Sequence, residues 1–211
     1  MQGRFANRQE AGLELAKKLA HLEGEDVVVL GLARGGVVVA AEVAKALCAP
    51  LEAFVARKLG VPWQPELGFG AVAEGVRAVQ EDLVRRLSLS REDIERVAMR
   101  EEAEAARRVA AYLGDRPRLD LREKLVVLID DGLATGITAI AAARAIRLHA
   151  PARLVFAAPV CSLQGAAKLR EEVDEVVCVI EPENMMAVGA HYDDFSQITD
   201  QQVIELLADS D

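Results

Sequence analysis

Val126-Val127-Leu128-Ile129-Asp130-Asp131-Gly132-Leu133-Ala134-Thr135-Gly136-Ile137-Thr138 decides how this chain is read. An apolar, β-branched run is followed by two carboxylates, a turn of small residues and an alanine-rich stretch, which is the order strand, loop, helix. Ionised carboxylates only accept hydrogen bonds, so paired Asp side chains suit two neighbouring hydroxyls such as those of a ribose. A Gly- and Thr-containing turn at a helix N-terminus offers backbone N–H groups and a favourable dipole to a phosphate. The stretch therefore suits a molecule with vicinal hydroxyls at one end and a phosphate at the other. A solvated acidic turn is the plainer reading, but it does not require Gly132, Gly136, Thr135 and Thr138 at these places.

A second stretch repeats the order. Val27-Val28-Val29-Leu30-Gly31-Leu32 leads into Ala33-Arg34-Gly35-Gly36 and a small-residue helix from Val37 to Leu47. Glycines let a backbone approach an anion closely and tolerate positive φ, and Arg34 adds a fixed cation. Alone, an Arg-Gly-Gly turn is explained equally well by a tight strand–helix connection.

Outward from these two stretches the chain keeps alternating. Helical spacing runs from Asn7 to His21. Leu51–Ala56, Val126–Ile129, Arg153–Ala158 and Glu175–Ile180 read as buried strands, and Thr138–His149 and Leu163–Glu172 as helices. Arg57 to Gly70, with Pro62, Trp63 and Pro65, reads as a loop, and Gly70–Ala73 with Val76–Val79 as a short hairpin. Ser90 caps a long helix to Leu113 whose interleaved charges read as a solvated face of (i, i+4) pairs. Strands alternating with helices predict an α/β fold with a parallel β-sheet flanked by helices on both faces. Ligands of such sheets bind beyond the carboxyl ends of the strands, where Arg34 and Asp130–Asp131 fall.

The composition suits one globular domain spanning residues 1–211: 52% hydrophobic and 28% charged, with a core of Val, Leu, Ile and Ala because aromatics are only 4%. The formal net charge of −9 argues against general nucleic-acid binding, which depends on Lys and Arg neutralising phosphates. No apolar run approaches the ~18 residues needed to span a bilayer, and the N-terminus lacks a signal-peptide segment. Cys48, Cys161 and Cys178 each lie in apolar sequence and read as reduced core thiols of a cytoplasmic protein. No pair of them has metal-site spacing, and no Gly-x-Ser-x-Gly elbow marks a hydrolase.

Together the two loop stretches resemble the binding signature of the type I phosphoribosyltransferases: an apolar strand, two acids, two or three variable residues, then Thr-Gly-x-Thr/Ser. The resemblance covers most of the chain and implies that fold, with a core of about 25–180 and a small hood from residues of about 1–24 and 181–211. It implies transfer of a phosphoribosyl group from phosphoribosyl pyrophosphate (PRPP) to a nitrogen acceptor, a nucleobase, with Mg²⁺ carried by PRPP rather than by protein ligands. Asp130 and Asp131 would hold the ribose, Ala134, Thr135, Gly136, Ile137 and Thr138 the 5′-phosphate, and Ala33, Arg34, Gly35 and Gly36 the pyrophosphate. A mobile loop after the second strand would bring Lys58 to the pyrophosphate; the alternative is a surface lysine beside a buried Trp63. His191, Tyr192 and Phe195 of the hood would stack on the acceptor, or else pack on the core. Members are commonly dimers, so a homodimer is implied too.

One departure matters. Purine-salvage members place a carboxylate where this chain has Ala134, so no general base carries over from them. The arrangement is most similar to bacterial phosphoribosyltransferase-like proteins whose acceptor is unassigned. A non-catalytic PRPP- or nucleotide-binding regulator of the same fold is the competing expectation.

Overall fold

The computed structural model describes residues 3–209; Met1, Gln2, Ser210 and Asp211, part of the expected hood, lie outside the described residues. Five parallel strands form the main sheet: β1 (Val27–Leu32), β2 (Leu51–Phe54), β6 (Leu125–Ile129), β7 (Arg153–Val160) and β8 (Glu175–Ile180), in the order β2-β1-β6-β7-β8. The remaining strands, β3 (Ala56–Val61), β4 (Gln64–Ala73) and β5 (Val76–Val79), make a separate antiparallel sheet.

Alternation along the central strands explains why both faces are covered. Val28, Leu30, Val126 and Leu128 point into one apolar cluster, while Val27, Val29, Val127 and Ile129 point into the other. The first cluster is closed by α5 (Ile137–Arg147), α6 (Leu163–Leu169) and the small sheet. The second is closed by α1 (Arg8–Leu19), α2 (Gly35–Leu47) and α7 (Asp200–Ala208). Burying one Val, Leu or Ile contributes about 1.5–3 kcal/mol, so two continuous clusters hold the central strands far more firmly than any loop they carry. The chain is completed by α3 (Glu81–Arg86) and α4 (Arg91–Leu113).

Three expectations are corrected. Residues 57–70 are not a loop: β3 and β4 pair across a Pro62-Trp63 turn, with Trp63 at the tip and 63% exposed rather than buried. The prolines hide this hairpin. Pro65 sits where β4 extends beyond β5, so only the β3 side needs pairing, and the register slips by a bulge at Gly60. The charges of α4 are not all solvated pairs either. Arg57 makes two hydrogen bonds to Glu101, at 2.9 and 2.7 Å, and Arg77 bonds both Glu95 and Glu102, so the helix holds the small sheet by its acids. Finally, the cysteines are not reduced core thiols. Cys161 and Cys178 form a disulfide, because β7 and β8 are neighbours and bring the two Cα atoms to 6.1 Å, while Cys48 is exposed. No helix among the described residues is long and apolar enough to cross a membrane.

Candidate active site

β1 and β6 lie side by side in register, Val27 opposite Leu125 through Gly31 opposite Ile129, so the loops that follow them emerge together. The loop after β1 reaches α2 through a cis Ala33–Arg34 peptide. It lies directly on the acid pair. A Cβ on Gly35 would overlap the Asp131 carboxylate, and one on Gly36 would come within 2.6 Å of the Ile129 carbonyl oxygen and 2.9 Å of Asp130 Cα. Only glycine permits this approach.

The acids are half-buried at the end of β6. Asp131 N–H donates to Asp130 Oδ1 at 2.9 Å. Burial, then the neighbouring Asp131 charge, pushes the Asp130 carboxyl well above the ordinary range. Burial also raises Asp131, opposed by the Arg8 guanidinium, whose Nε donates to Asp131 Oδ2 at 2.8 Å. Beyond Asp131 the chain is pinned to its neighbours: Leu133 N–H donates to the Val160 carbonyl, and Ser162 N–H to that of Leu133, each at 2.8 Å. Gly136 takes φ +79° to turn the loop into α5, leaving Ala134 and Thr135 exposed and Thr138 half-buried.

The helix starts differ in a telling way. The N-termini of α1, α4, α6 and α7 are capped by Asn7, Ser90, Ser162 and Thr199 side chains. Those of α2 and α5, which follow the two loops, have no side-chain cap bond; the six-residue α3 is the other such case. Their first-turn N–H groups are thus left to a ligand or solvent.

A cavity of about 600 Å³ separates the β3–β4 hairpin and α3 from the start of α5, with Lys58, Gly68, Arg86, Thr135 and Ile137 in its lining. Strand alternation turns Arg57 to α4 and Lys58 to this cavity, and Gly68 leaves room for the Lys58 chain, whose Nζ bonds the Glu66 carbonyl at 3.0 Å. Lys58 and the proposed 5′-phosphate loop therefore share one cavity. Arg86 lines it as well and was not foreseen; an Arg85-Arg86 pair closing a six-residue helix reads as an ordinary basic C-terminus and gives no sequence signal. Arg34 points elsewhere, its guanidinium 3.8 Å from Asp200 at the start of α7.

The chain ends meet over the acid pair. Phe5 N–H donates to the His191 carbonyl at 3.0 Å, and Asp193 N–H to that of Phe5 at 2.8 Å. Of the two readings open for the hood residues, His191 and Tyr192 take the packed one. Tyr192 is 2% exposed between Phe5 and Phe195, and its hydroxyl donates to the Asp131 carbonyl at 2.6 Å; His191 is 9% exposed. The bulk of these rings is more stably buried than wet. Phe195 stays partly exposed, with the Arg8 guanidinium 3.9 Å from its ring centroid.

The Phosphoribosyl transferase domain pattern matches residues 7–194. The chain belongs to the phosphoribosyl transferase domain family. Two Mycobacterium tuberculosis proteins, from strains CDC 1551 / Oshkosh and H37Rv, both named "Putative phosphoribosyl transferase", are 45% identical over 204 residues, covering 96% of this chain. The chain spans 46% of their length. The crystal structure of TT1426 from Thermus thermophilus is similar with a TM-score of 0.81 and 39% identity, over 98% of this chain and 99% of that one. A hypothetical protein from Neisseria gonorrhoeae, solved with bound ppGpp, shares the fold at a TM-score of 0.52 and 12% identity, over 99% and 98% of the two chains. The α/β phosphoribosyl transferase fold expected from the two loops is thus the fold observed.

Proposed function

We propose that this protein is a phosphoribosyltransferase that takes PRPP as donor and a nitrogen compound, a nucleobase, as acceptor. The observation that carries the reading is the placement of a half-buried acid pair between two helix N-termini without side-chain caps, on adjacent strands. Asp130 and Asp131 accept from the ribose hydroxyls. The N–H groups at the start of α5, with Thr135 and Thr138, receive the 5′-phosphate. The Ala33–Gly36 loop and the start of α2 receive the pyrophosphate. As the C1′–O bond breaks, its electron pair leaves with pyrophosphate, and the donors of that loop meet the growing negative charge. The acceptor nitrogen bonds to C1′ and its proton passes to the departing pyrophosphate, a base made available by the broken C1′–O bond, because Ala134 has no group to take it.

Among the described residues no three His, Cys, Asp or Glu side chains gather to hold a metal ion. Mg²⁺ would arrive with PRPP, held by the donor's own pyrophosphate and ribose oxygens, the usual manner in which this ion meets phosphate substrates. When bound, Mg²⁺ supplies charge neutralisation on pyrophosphate.

Calorimetric titration of PRPP, with and without Mg²⁺, tests the donor. Micromolar, Mg²⁺-dependent binding is expected, followed by pyrophosphate release in a screen of nucleobases and amines. No binding at millimolar PRPP refutes the proposal; tight binding without release from any acceptor would place the chain among non-catalytic binders.

A further inference from the structure

Arg8 is the most thoroughly engaged cation near the acid pair, and nothing in the two loop motifs points to it. It opens α1, 123 residues from its partner. Its side chain is 8% exposed and makes three contacts: Nε to Asp131 Oδ2 at 2.8 Å, one terminal nitrogen to the Ser196 carbonyl at 2.9 Å, and the guanidinium plane 3.9 Å from the Phe195 ring centroid. Two of the three come from the C-terminal segment, so a guanidinium carried by α1 is held by Phe195 and Ser196 as well as by Asp131. Arg suits this position because its planar fork serves a carboxylate and a carbonyl while its face lies on an aromatic ring.

Resting on the donor reading above, we propose that Arg8 is a positioning residue that aims Asp131 at the ribose and makes donor binding depend on the seating of the chain ends. The Arg8 bond occupies Asp131 Oδ2 and leaves the other carboxylate oxygen for a hydroxyl. The groups facing Asp131 are Asp130 on its own strand, Arg8 from α1 and the Tyr192 hydroxyl, which donates to the Asp131 carbonyl. Asp194 is the further acid near Arg8. Of these Arg8 is the cation, so its removal leaves two neighbouring acids opposed by nothing but dipoles. Asp131 then holds its proton to a higher pH, and a protonated carboxyl offers one fewer acceptor.

The test compares wild type, Arg8→Gln and Arg8→Lys as full chains. Carboxyl ¹³C NMR follows Asp131 without ligand, and calorimetry follows PRPP affinity from pH 5 to 9. In R8Q the Asp131 titration should move to higher pH. Affinity should fall about 10–100-fold near neutrality, the range seen when a group that orients a ligating side chain is lost, and should recover as pH rises. R8K should titrate near wild type with an intermediate affinity, and it carries the test alone should R8Q not fold. A loss of the same factor at every pH, or an unmoved Asp131, overturns the inference while leaving the donor reading intact. Wild type that does not bind PRPP overturns the donor reading itself.

Discussion

The two ends of the proposed donor site are built in opposite ways. At the ribose end the acids are half-buried and partnered: Asp130 by the Asp131 backbone, Asp131 by Arg8, with Tyr192 on its carbonyl and the Gly35 backbone against it. At the phosphate end Ala134 and Thr135 are exposed, Lys58 is 42% exposed, and a cavity of about 600 Å³ separates hairpin from helix. The first is pre-set, so little ordering cost falls due on binding; the second leaves room for a ligand to enter and for the hairpin to settle. The difference teaches that neutralising charge is no uniform task here. Half-buried acids need a fixed cation beside them, whereas an incoming dianion needs free N–H groups and a cation whose present partner is exposed and exchangeable, as Glu66 is for Lys58.

The largest expected effect breaks the pre-set end. Asp130→Asn with Asp131→Asn should weaken PRPP binding by about 10²–10⁴-fold, since a hydrogen bond to a charged group contributes roughly 1.5–3 kcal/mol; calorimetry with unchanged affinity would refute the ribose assignment. Next comes Gly35→Ala. Its Cβ overlaps the Asp131 carboxylate, so a stability loss of about 1–3 kcal/mol is expected, with weaker PRPP binding, read by denaturant unfolding and calorimetry. Lys58→Ala at the open end should leave stability unchanged and reduce turnover roughly tenfold, because one cation placed on a leaving charge is lost; initial rates of pyrophosphate release check this.

The smallest effect has opposite signs for binding and for stability. Burial raises the folded-state pKa of Asp130 above its unfolded value of 3.8. The stability tied to its protonated form is therefore fully present below the unfolded pKa and is lost as pH rises through the folded one. Neutral pH lies above the unfolded value, where keeping this acid in its buried place costs stability, so Asp130→Asn alone should raise Tm by roughly 2–4 °C, what about 1 kcal/mol does in a chain of this size. PRPP binding needs the ionised acids and should decline on acidification at a pH above the ordinary Asp range. Thermal melts and pH-dependent calorimetry separate the two; a Tm that falls in D130N would show that the acid is stabilised by partners rather than strained by burial.

What the sequence disclosed follows from range. Both candidate loops were legible as strand–loop–helix units because each motif is continuous and follows its own apolar strand, and parallel pairing of β1 with β6 brings them side by side. The hairpin was hidden by Pro62 and Pro65, which ordinarily break strands. A missed signal was available for α7: Thr199 and Gln202 form a capping box just before an apolar run. No local pattern announces the Cys161–Cys178 bond or the Arg8–Asp131 pair, since both depend on which elements become neighbours. For Tyr192 the sequence left two readings open, stacking on an acceptor or packing on the core, because only Phe5, far away in the chain, shows which ring it meets.

Trp63 is the one tryptophan of the chain and stands at the tip of the β3–β4 hairpin, in water. The protein thus carries its own optical gauge. Indole emission shifts to the blue when its surroundings dry, so light emitted from unlabelled protein reports on that single tip. Stopped-flow traces during donor mixing would time the settling of the hairpin against chemistry, and a silent trace would mean that the arm stays where it stands.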